Sequence, residues 1–424
     1  MTNAADHAAQ LIRCAGREAL AAGLLDARQR LLRVWRAFDR ALADKAWQVR
    51  YLPELNPPLW ELGHVAWFEE FWIARNPQRH RGAAADPDVA RAAAILPRAD
   101  ALYHSSQVAH ARRWHLDLPS AARSLQYAAQ VRERTLALLA QAATDDDALY
   151  FYRLVLHHED MHREAWLNMA QTLGLPLTAD IEADFDKPSL ASSDGEWTVP
   201  AQTVNLGSAP GASGGFAFDN EYGTHAVAVE TFAIDRNPVS WARYLPFIEA
   251  GGYDERRWWT PEGWAWRQAQ GLRRPRHLAP ADDTGAQPRD AGWKQAMFGQ
   301  WTNVEPEAPA THISAHEAQA WCQWAGRRLP SEAEWQAAAS AAAHDDQVFS
   351  WGHVWEWTAT PFAPYPGFTP HPYRDYSQPW FDGRPVLRGG SFAAAARLKS
   401  IHYRNFYTAD RNDIFAGFRS CART

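Results

Sequence analysis

The stretch FYRLVLHHEDMHREAWLNMA, residues 151–170, decides the fold of the first part of the chain. Its apolar residues recur at helical spacing, and the predicted helix starts after Asp147 and ends at Gly174. The inner stripe of this helix consists of Phe151, Leu154, Val155, His158, His162, Ala165 and Met169. His158 and His162 are four residues apart, so both rings leave the same helical face. Because an unpaired buried imidazole is costly, the pair is a candidate metal site.

Another histidine has a similar place on a second predicted helix. This helix opens at Asn56-Pro57-Pro58, where proline suits a first turn, and ends near Asn76 before a further proline. Its inner stripe consists of Trp60, His64, Trp67, Phe68 and Phe71. An imidazole from His64 would complete a three-histidine face, which leaves metal positions open for substrate and oxygen.

Two further helices complete a predicted four-helix bundle. One covers residues 20–45, and the other follows Ser120 and runs to about Ala143. Four helices of this length can close an antiparallel bundle, so residues 1–176 are predicted to form one helical domain. Residues 80–95 are predicted to form a surface loop because their composition is of low complexity.

The second half of the chain shows little helical period. Short β-like pieces such as VAVETFAI alternate with many Gly, Pro and Trp residues, and the chain holds 22 Trp. One clear helix is predicted from about Ser314 to Ala325. Residues 177–200 are predicted to connect the domains, and residues 201–424 to form an irregular α+β domain. The predicted fold class is therefore α+β in two domains.

Composition and charge exclude several classes of function. A formal net charge of −6 does not favour a nucleic-acid surface. No apolar run approaches the roughly 20 residues needed to cross a bilayer, and the N-terminus lacks the pattern of a secretory signal. Three widely spaced cysteines suggest a reducing compartment. We therefore expect a cytoplasmic protein without nucleic-acid or membrane partners, either a monomer or a dimer.

Four interpretations of the histidines stay open on these residues alone. They can be ordinary core or surface side chains. The run from His158 to His162 also matches the H-E-x-x-H pattern of zinc hydrolases, with Glu159 as general base. Glu61-x-x-His64 and the matching run ending at His162 mimic a di-iron bundle. Finally, His64, His158 and His162 can hold one iron, which imidazole ligands suit.

Four strings in the second half carry a resemblance to a known fold. They are GRRLPSEAEW (326–335), VWEWT (354–358), LRGGSF (387–392) and FAGFR (415–419). These strings resemble the formylglycine-generating-enzyme fold, which is related to C-type lectins. With a DinB-like bundle in front that carries the three histidines, the whole chain resembles the nonheme-iron sulfoxide synthases of ergothioneine biosynthesis. The resemblance implies an O₂-dependent Fe(II) enzyme that joins a chalcogen atom to C2 of the imidazole of hercynine, which is trimethylhistidine.

Two places differ from the usual pattern of that family. Met161 stands where the family has a glutamine that helps to hold substrate or metal-bound water. The run Arg404-Asn405-Phe406-Tyr407 replaces Arg-Asn-Trp-Asp, so the acid that contacts a thiol substrate is missing. Together with Tyr373-Arg-Asp-Tyr376, these differences resemble the selenoneine synthase branch, which couples hercynine to a selenosugar. A sulfoxide synthase that uses cysteine or γ-glutamylcysteine is the alternative.

The resemblance also implies roles for individual residues. Tyr373 is the first candidate for a tyrosine that gives a proton or hydrogen atom near the iron, followed by Tyr376 and then Tyr365. The side chains implied to line the substrate site are Met161, Tyr403, Asn405, Phe406 and Tyr407. Aromatic faces suit the quaternary ammonium of hercynine, and neutral hydrogen-bonding groups suit a sugar donor.

The second domain has two alternative functions. Formylglycine generation needs a reactive cysteine pair, whereas Cys322 and Cys421 lie in stretches that are typical of structural positions. A lectin-like module that binds sugar or peptide is the non-enzyme alternative. It predicts neither iron binding nor O₂ consumption.

Overall fold

The computed structural model describes residues 4–185, 190, 195–208, 215–284, 292–344 and 349–423. The helices of the first part are α1 (Ala4–Arg13), α2 (Arg17–Leu42), α3 (Pro58–Glu69), α4 (Ala99–Tyr103), α5 (Ala121–Gln141), α6 (Asp146–Leu173) and α7 (Ala179–Glu182). The four predicted bundle helices correspond to α2, α3, α5 and α6. None of the helices in the described ranges is long and apolar enough to cross a membrane.

The bounds of α6 follow from its end residues. The side chain of Asp145 accepts a hydrogen bond from the main-chain N–H of Ala148 at 2.9 Å, which caps the first turn. Gly174 ends the helix in the left-handed region with φ of +65°. A long regular helix between these two points gives His158 and His162 their one-turn separation.

The segment predicted as a surface loop over residues 80–95 lies mostly at the surface, but its first turn also packs against the fold. Arg79–Ala84 form a 3₁₀ turn that packs against the start of α6. Gly82 is buried with φ of +52°, and a Cβ there would come within 2.8 Å of the Asp147 Cα. Only glycine fits at this close approach.

Where the structure describes the second part, it contains short strands and four helices, α8 (Trp241–Glu249), α9 (Pro261–Gln270), α10 (Ala315–Trp324) and α11 (Glu332–His344). The sequence predicted α10 alone. The sequence of α11 is rich in alanine and buried on several sides, so it shows no apolar period. Pro246 lies within α8 and masks its pattern.

The strands form four small sheets. The strands are β1 (Glu196–Val199), β2 (Gln202–Leu206), β3 (His225–Val229), β4 (Phe232–Asp235), β5 (Leu278–Pro280), β6 (Trp293–Met297), β7 (Gln300–Asn303), β8 (Arg327–Arg328), β9 (Trp355–Pro361), β10 (Pro385–Arg388), β11 (Asn405–Phe406), β12 (Ala416–Gly417) and β13 (Cys421–Ala422). Their orders are β1-β4-β13-β8, β11-β10-β9-β12, β2-β3 and β5-β6-β7. Most pairs are antiparallel, while β12 runs parallel to β9. The predicted α+β class is therefore confirmed.

The stretch 177–200, predicted as the interdomain connection, contains α7 and β1. Strand β1 pairs with β4 along its whole length, from Glu196 opposite Asp235 to Val199 opposite Phe232. Residues 186–189 and 191–194 of the stretch lie outside the described residues. The exact domain boundary stays a prediction.

The two parts share buried contacts along α6. Arg397 of the second part donates to both carboxylate oxygens of Asp160, at 2.7 and 2.8 Å. The indole N–H of Trp355 donates to Glu164 at 2.8 Å. Asp160 and Glu164 flank His162 in sequence, so the second part holds the helix segment that carries the histidine pair.

Candidate metal centre

Three imidazoles meet between α3 and α6. One nitrogen from each of His64, His158 and His162 lies within 4.8 Å of the other two. The ring centroids of His158 and His162 are 4.2 Å apart, and that of His64 lies 4.9 Å from His162. The structure therefore brings together the three histidines that the helical spacing singled out. Nitrogens at this separation can share one ion.

Hydrogen bonds fix the orientation of two rings. Nδ1 of His64 lies 2.8 Å from the carbonyl oxygen of Tyr103, and Nδ1 of His162 lies 2.5 Å from Oε1 of Glu61. A carbonyl or carboxylate oxygen only accepts, so each Nδ1 carries the proton and each Nε2 keeps a free lone pair. A metal ligand needs that lone pair.

His158 supplies the third nitrogen without such a partner. Its Nε2 is buried and makes no hydrogen bond in the described structure. Leaving a buried polar atom unpaired is unfavourable, and a metal ion would satisfy it. The donor set therefore fits a mononuclear site with three neutral imidazole ligands.

Burial keeps the rings of His64 and His158 neutral. Burial, with a smaller repulsion from His162, lowers the pKa of His64 to about 3. Burial and the same neighbour lower the pKa of His158 well below its usual value. Neutral imidazole is the ligand form, so the site needs little proton release to take up a metal at neutral pH.

Aromatic rings pack directly around the histidines. Phe68 stacks on His158 with ring centroids 3.5 Å apart and planes within 2° of parallel. Trp60 stacks on His64 at 4.8 Å. Tyr373 meets Phe68 edge-on at 4.9 Å, and its ring lies 6.3 Å from that of His158. The first-choice tyrosine thus lies beside the triad, and burial raises its pKa, so the phenol stays protonated.

The second-choice tyrosine belongs to a hydroxyl pair beside Met161. The hydroxyls of Tyr376 and Tyr403 are 3.0 Å apart. Tyr403 donates to the thioether sulfur of Met161 at 3.2 Å, and the Tyr376 hydroxyl lies 3.8 Å from the same sulfur. Met161 precedes His162 in α6, so these three predicted site residues are together next to a predicted metal ligand.

The remaining predicted substrate residues lie around Tyr376. Phe406 stacks on Phe362 at 4.1 Å, and its ring lies 5.9 Å from that of Tyr376. Asn405 precedes it in β11. The guanidinium of Arg411 lies 4.8 Å from the ring of Tyr407, whose pKa burial raises to about 12. Contact of these residues with a substrate stays a prediction.

Tyr365, the third candidate tyrosine, packs against Glu332 and Arg404. Its hydroxyl donates to Glu332 at 2.9 Å, and the Arg404 guanidinium lies 3.9 Å from its ring. Arg404 also donates to Glu332 at 2.7 Å, so Tyr365, Arg404 and Glu332 form one buried cluster. No contact of Tyr365 with the triad is present among the described residues.

The zinc-hydrolase interpretation is contradicted by the place of Glu159. Its carboxylate accepts from Arg28 at 2.5 Å and from Arg132, and both arginines also bond Glu69. Despite its burial, these arginines hold the pKa of Glu159 below its usual value. A carboxylate in this ion-pair network is not free to act as the base on a metal-bound water.

The di-iron interpretation fails for a related reason. It requires Glu61 and Glu159 as metal ligands, yet Glu61 bonds His162 on one oxygen and Asn56 on the other, at 2.8 Å. The sequence analysis named Glu61 only within the di-iron alternative and did not identify it as the hydrogen-bond partner of His162. It missed the Tyr103 carbonyl entirely, because a main-chain acceptor leaves no mark in the side-chain pattern.

A cavity of about 230 Å³ is lined by Tyr373 and by Phe68, the ring that stacks on His158. Its other lining residues include the aromatic side chains of Trp67, Phe71 and Trp72 and the polar side chains of Asp88, His104, Ser105, Ser106, Gln107 and Asp375. An aromatic wall with hydroxyl, amide and carboxylate groups suits a small polyhydroxylated molecule.

Comparison with protein families matches both parts of the chain. Residues 24–170 match the DinB superfamily, and residues 183–353 and 348–424 match the sulfatase-modifying factor enzyme 1-like domain. These matches agree with the helical first part and the irregular α+β second part.

Known relatives match the chain over nearly its whole length. The hercynine oxygenase of Mycolicibacterium smegmatis is 33% identical, over 95% of this chain and 98% of the relative. The hercynine oxygenase of Mycobacterium tuberculosis is 32% identical over the same shares. Ergothioneine biosynthesis protein 1 of Schizosaccharomyces pombe is 28% identical over 60% of this chain and 33% of its own length. The chain therefore belongs to the hercynine oxygenase family of ergothioneine biosynthesis.

Proposed function

We propose that this protein is an O₂-dependent Fe(II) enzyme that joins selenium from a selenosugar to C2 of the hercynine imidazole. The observation that carries the proposal is the meeting of His64, His158 and His162, with free nitrogens, beside the buried phenol of Tyr373. The relatives named hercynine oxygenase support hercynine as the shared substrate.

The three histidines would hold the iron, which when bound supplies the redox chemistry that reduces O₂. Their fixed Nδ1 bonds to Tyr103 and Glu61 orient two of the rings for that task. Phe68 and Trp60 cover the rings and exclude water from their faces. Three ligands from one side leave room for both substrates and O₂ on the other side.

The proposed reaction balances without a further reductant. The C2–H bond of hercynine and the Se–H bond of the donor break, and one C–Se bond forms. The two hydrogens leave with one oxygen atom of O₂ as water, and the other oxygen stays on selenium as a selenoxide. The two substrates together lose four electrons, and O₂ accepts four.

The protein's own acid in this reaction would be Tyr373. Its raised pKa keeps the proton on the phenol at neutral pH, so it can give a proton to oxygen and take it back. The aromatic faces of Tyr376 and Phe406 would bind the quaternary ammonium of hercynine by cation–π attraction.

The neutral side chains of Met161 and Tyr407 favour the selenosugar over γ-glutamylcysteine. Met161 offers a soft, polarizable sulfur that suits a selenium atom. Tyr407 provides a hydroxyl where a charged thiol substrate would need an acid. The polar cavity outside Tyr373 provides hydroxyl and amide groups that suit a sugar.

The donor is tested by aerobic incubation of the Fe(II)-loaded protein with hercynine and, separately, selenoglucose, γ-glutamylcysteine or cysteine. We expect mass spectrometry to show a hercynine–selenosugar adduct and little product with either thiol. A His162→Ala protein treated in the same way is the matched control and should form no adduct. Product with a thiol but not with selenoglucose would contradict the proposed donor.

The second candidate function is a hercynine sulfoxide synthase that uses cysteine or γ-glutamylcysteine. The similarity to ergothioneine biosynthesis protein 1 of Schizosaccharomyces pombe favours it, because ergothioneine is a sulfur compound. The same incubation decides between the two, since a sulfoxide adduct differs in mass from a selenium adduct. A lectin-like module would consume no O₂ with any donor.

A further inference from the structure

Arg113 is linked to His162 by an unbroken chain of hydrogen bonds. Its Nη1 donates to Oδ1 of Asn56 at 2.7 Å, and Nδ2 of Asn56 donates to Oε2 of Glu61 at 2.8 Å. The other carboxylate oxygen of Glu61 accepts from Nδ1 of His162 at 2.5 Å. We call this chain the polar arm.

The same guanidinium is linked to His64 by a stack of rings. The guanidinium carbon of Arg113 lies 4.1 Å from the ring centre of Trp60. Trp60 in turn stacks on His64 at 4.8 Å, with the planes within 10° of parallel. The indole N–H donates to the carbonyl of Leu102 at 2.7 Å, which holds the ring in place. We call this stack the aromatic arm.

Main-chain carbonyls fix the direction of the Arg113 side chain. Nη2 donates to the carbonyl of Ser105 at 2.9 Å and to that of Val108 at 3.3 Å. Two residues before Ser105, the carbonyl of Tyr103 accepts from His64. A single short segment therefore anchors Arg113 and also orients one metal-site ring.

We propose that Arg113 is a positioning residue that sets the orientation of both His64 and His162 for the metal. The inference rests on the proposed function only in that the triad holds Fe(II). The fork of the guanidinium makes Asn56 present its oxygen to Arg113 and its NH₂ to Glu61. Without that donor the amide can turn, and its oxygen would then face the Glu61 carboxylate.

The two arms can be cut separately in the full-length protein. Arg113→Met removes both, since methionine keeps bulk but has neither charge nor donors. Asn56→Leu cuts the polar arm and leaves the stack on Trp60, whereas Trp60→Phe shortens the aromatic arm. Arg113→Lys keeps the charge without the fork. Arg112→Met is the matched control, because Arg112 is an exposed neighbour.

The test measures Co(II) binding by calorimetry and the visible absorption of the Co(II) protein. We expect Arg113→Met to weaken Co(II) affinity about tenfold and to shift the absorption bands, as loss of an outer partner of a metal ligand does. Asn56→Leu and Trp60→Phe should each weaken Co(II) affinity less than Arg113→Met does. The affinity of Arg113→Lys should lie between those of Arg113→Met and the unchanged protein. The Co(II) affinity of Arg112→Met should stay within twofold of that of the unchanged protein.

Co(II) affinity within twofold and an unchanged spectrum in Arg113→Met would overturn the proposal, whatever its thermal stability. If Arg113→Met does not fold, Asn56→Leu supports the same comparison, because it leaves the anchors of Arg113 intact. Absence of any hercynine product in a protein that binds Co(II) tightly would instead remove the proposed function and leave this inference standing.

Discussion

At the scale of single residues, aromatic side chains pack around the imidazole rings of the three histidines. Tyr373 meets Phe68 edge-on, and its ring centre lies 6.3 Å from that of His158. The proposed role of Tyr373 as an acid rests on this position beside the three histidines.

Replacing Tyr373 with Phe should reduce C–Se coupling at least tenfold and leave iron binding unchanged. The phenyl ring keeps the edge contact with Phe68 but cannot move a proton, and general acid catalysis is typically worth 10²–10⁴-fold. Product per O₂ consumed, measured by an oxygen electrode and mass spectrometry, checks this. Unchanged product yield would remove Tyr373 from the mechanism.

A buried histidine in the second part gives a pH-dependent prediction. Burial, with repulsion from Arg276, lowers the pKa of His277 to about 4, against an ordinary value near 6.5. Between these values the unfolded chain binds a proton that the folded chain does not. The contribution of His277 to the free energy of unfolding is therefore fully present above pH 6.5 and is lost as pH falls toward 4.

When pH falls from 7 to 4.5, the free energy of unfolding should drop in both proteins. The drop should be about 2 kcal/mol smaller in His277→Phe than in the unchanged protein. Urea titrations of the metal-free proteins at both pH values measure this difference. His115→Phe changes an exposed ring and should match the unchanged protein. Equal pH dependence of the His277 variant and its parent would contradict the prediction.

Side-chain spacing predicted that His64, His158 and His162 come together, because all three interrupt apolar helical stripes. It could not predict what holds them. The partner of His64 is a main-chain carbonyl, and Arg113 reaches the site from a short 3₁₀ turn with no period of its own. Such partners depend on how distant segments pack.

At the scale of elements, two faces of α6 make different contacts. One face presents His158 and His162 to α3, and the next turns Glu159 toward arginines of α2 and α5. The sequence predicted the bounds of α6 because its cap and its terminal glycine are local signals. The partners of Glu159 were not predictable, since Arg28 and Arg132 lie on other helices.

Replacing Glu159 with Gln should destabilise the bundle by about 3 kcal/mol and leave iron chemistry intact in the folded protein. The change leaves two buried guanidinium groups with one carboxylate fewer. Urea unfolding and turnover of the folded fraction measure the two effects. Glu133→Gln, on the exposed face of α5, is the control and should be neutral.

Lost turnover without lost stability in the Glu159 variant would point to a catalytic carboxylate. That outcome would restore the zinc-hydrolase interpretation. The ion-pair network predicts instead that Glu159→Gln lowers stability and leaves the turnover of the folded protein unchanged.

At the scale of the whole molecule, the second part stabilises α6, the helix that carries His158 and His162. Buried apolar side chains from both parts form one continuous cluster, which includes Trp60, Phe151 and Trp355. The sequence predicted two domains but not this shared core, because tryptophans far apart in sequence meet only after folding.

The contact between Arg397 and Asp160 gives a prediction at this scale. Arg397→Met would leave the Asp160 carboxylate buried without its bidentate partner, so unfolding free energy should fall by about 3 kcal/mol. Far-ultraviolet dichroism and tryptophan fluorescence should still report one coincident transition. Arg384→Met, which removes an ion pair with the exposed Asp382, is the control. An unchanged midpoint for Arg397→Met would contradict the shared role of this contact.

The metal stoichiometry and ligand set of the anaerobically loaded protein test the central claim most directly. X-ray absorption together with elemental analysis should show one iron per chain with three imidazole nitrogens, lost together in His158→Ala. Two metal ions per chain, or zinc retained in a protein that turns over hercynine at full rate, would contradict the account.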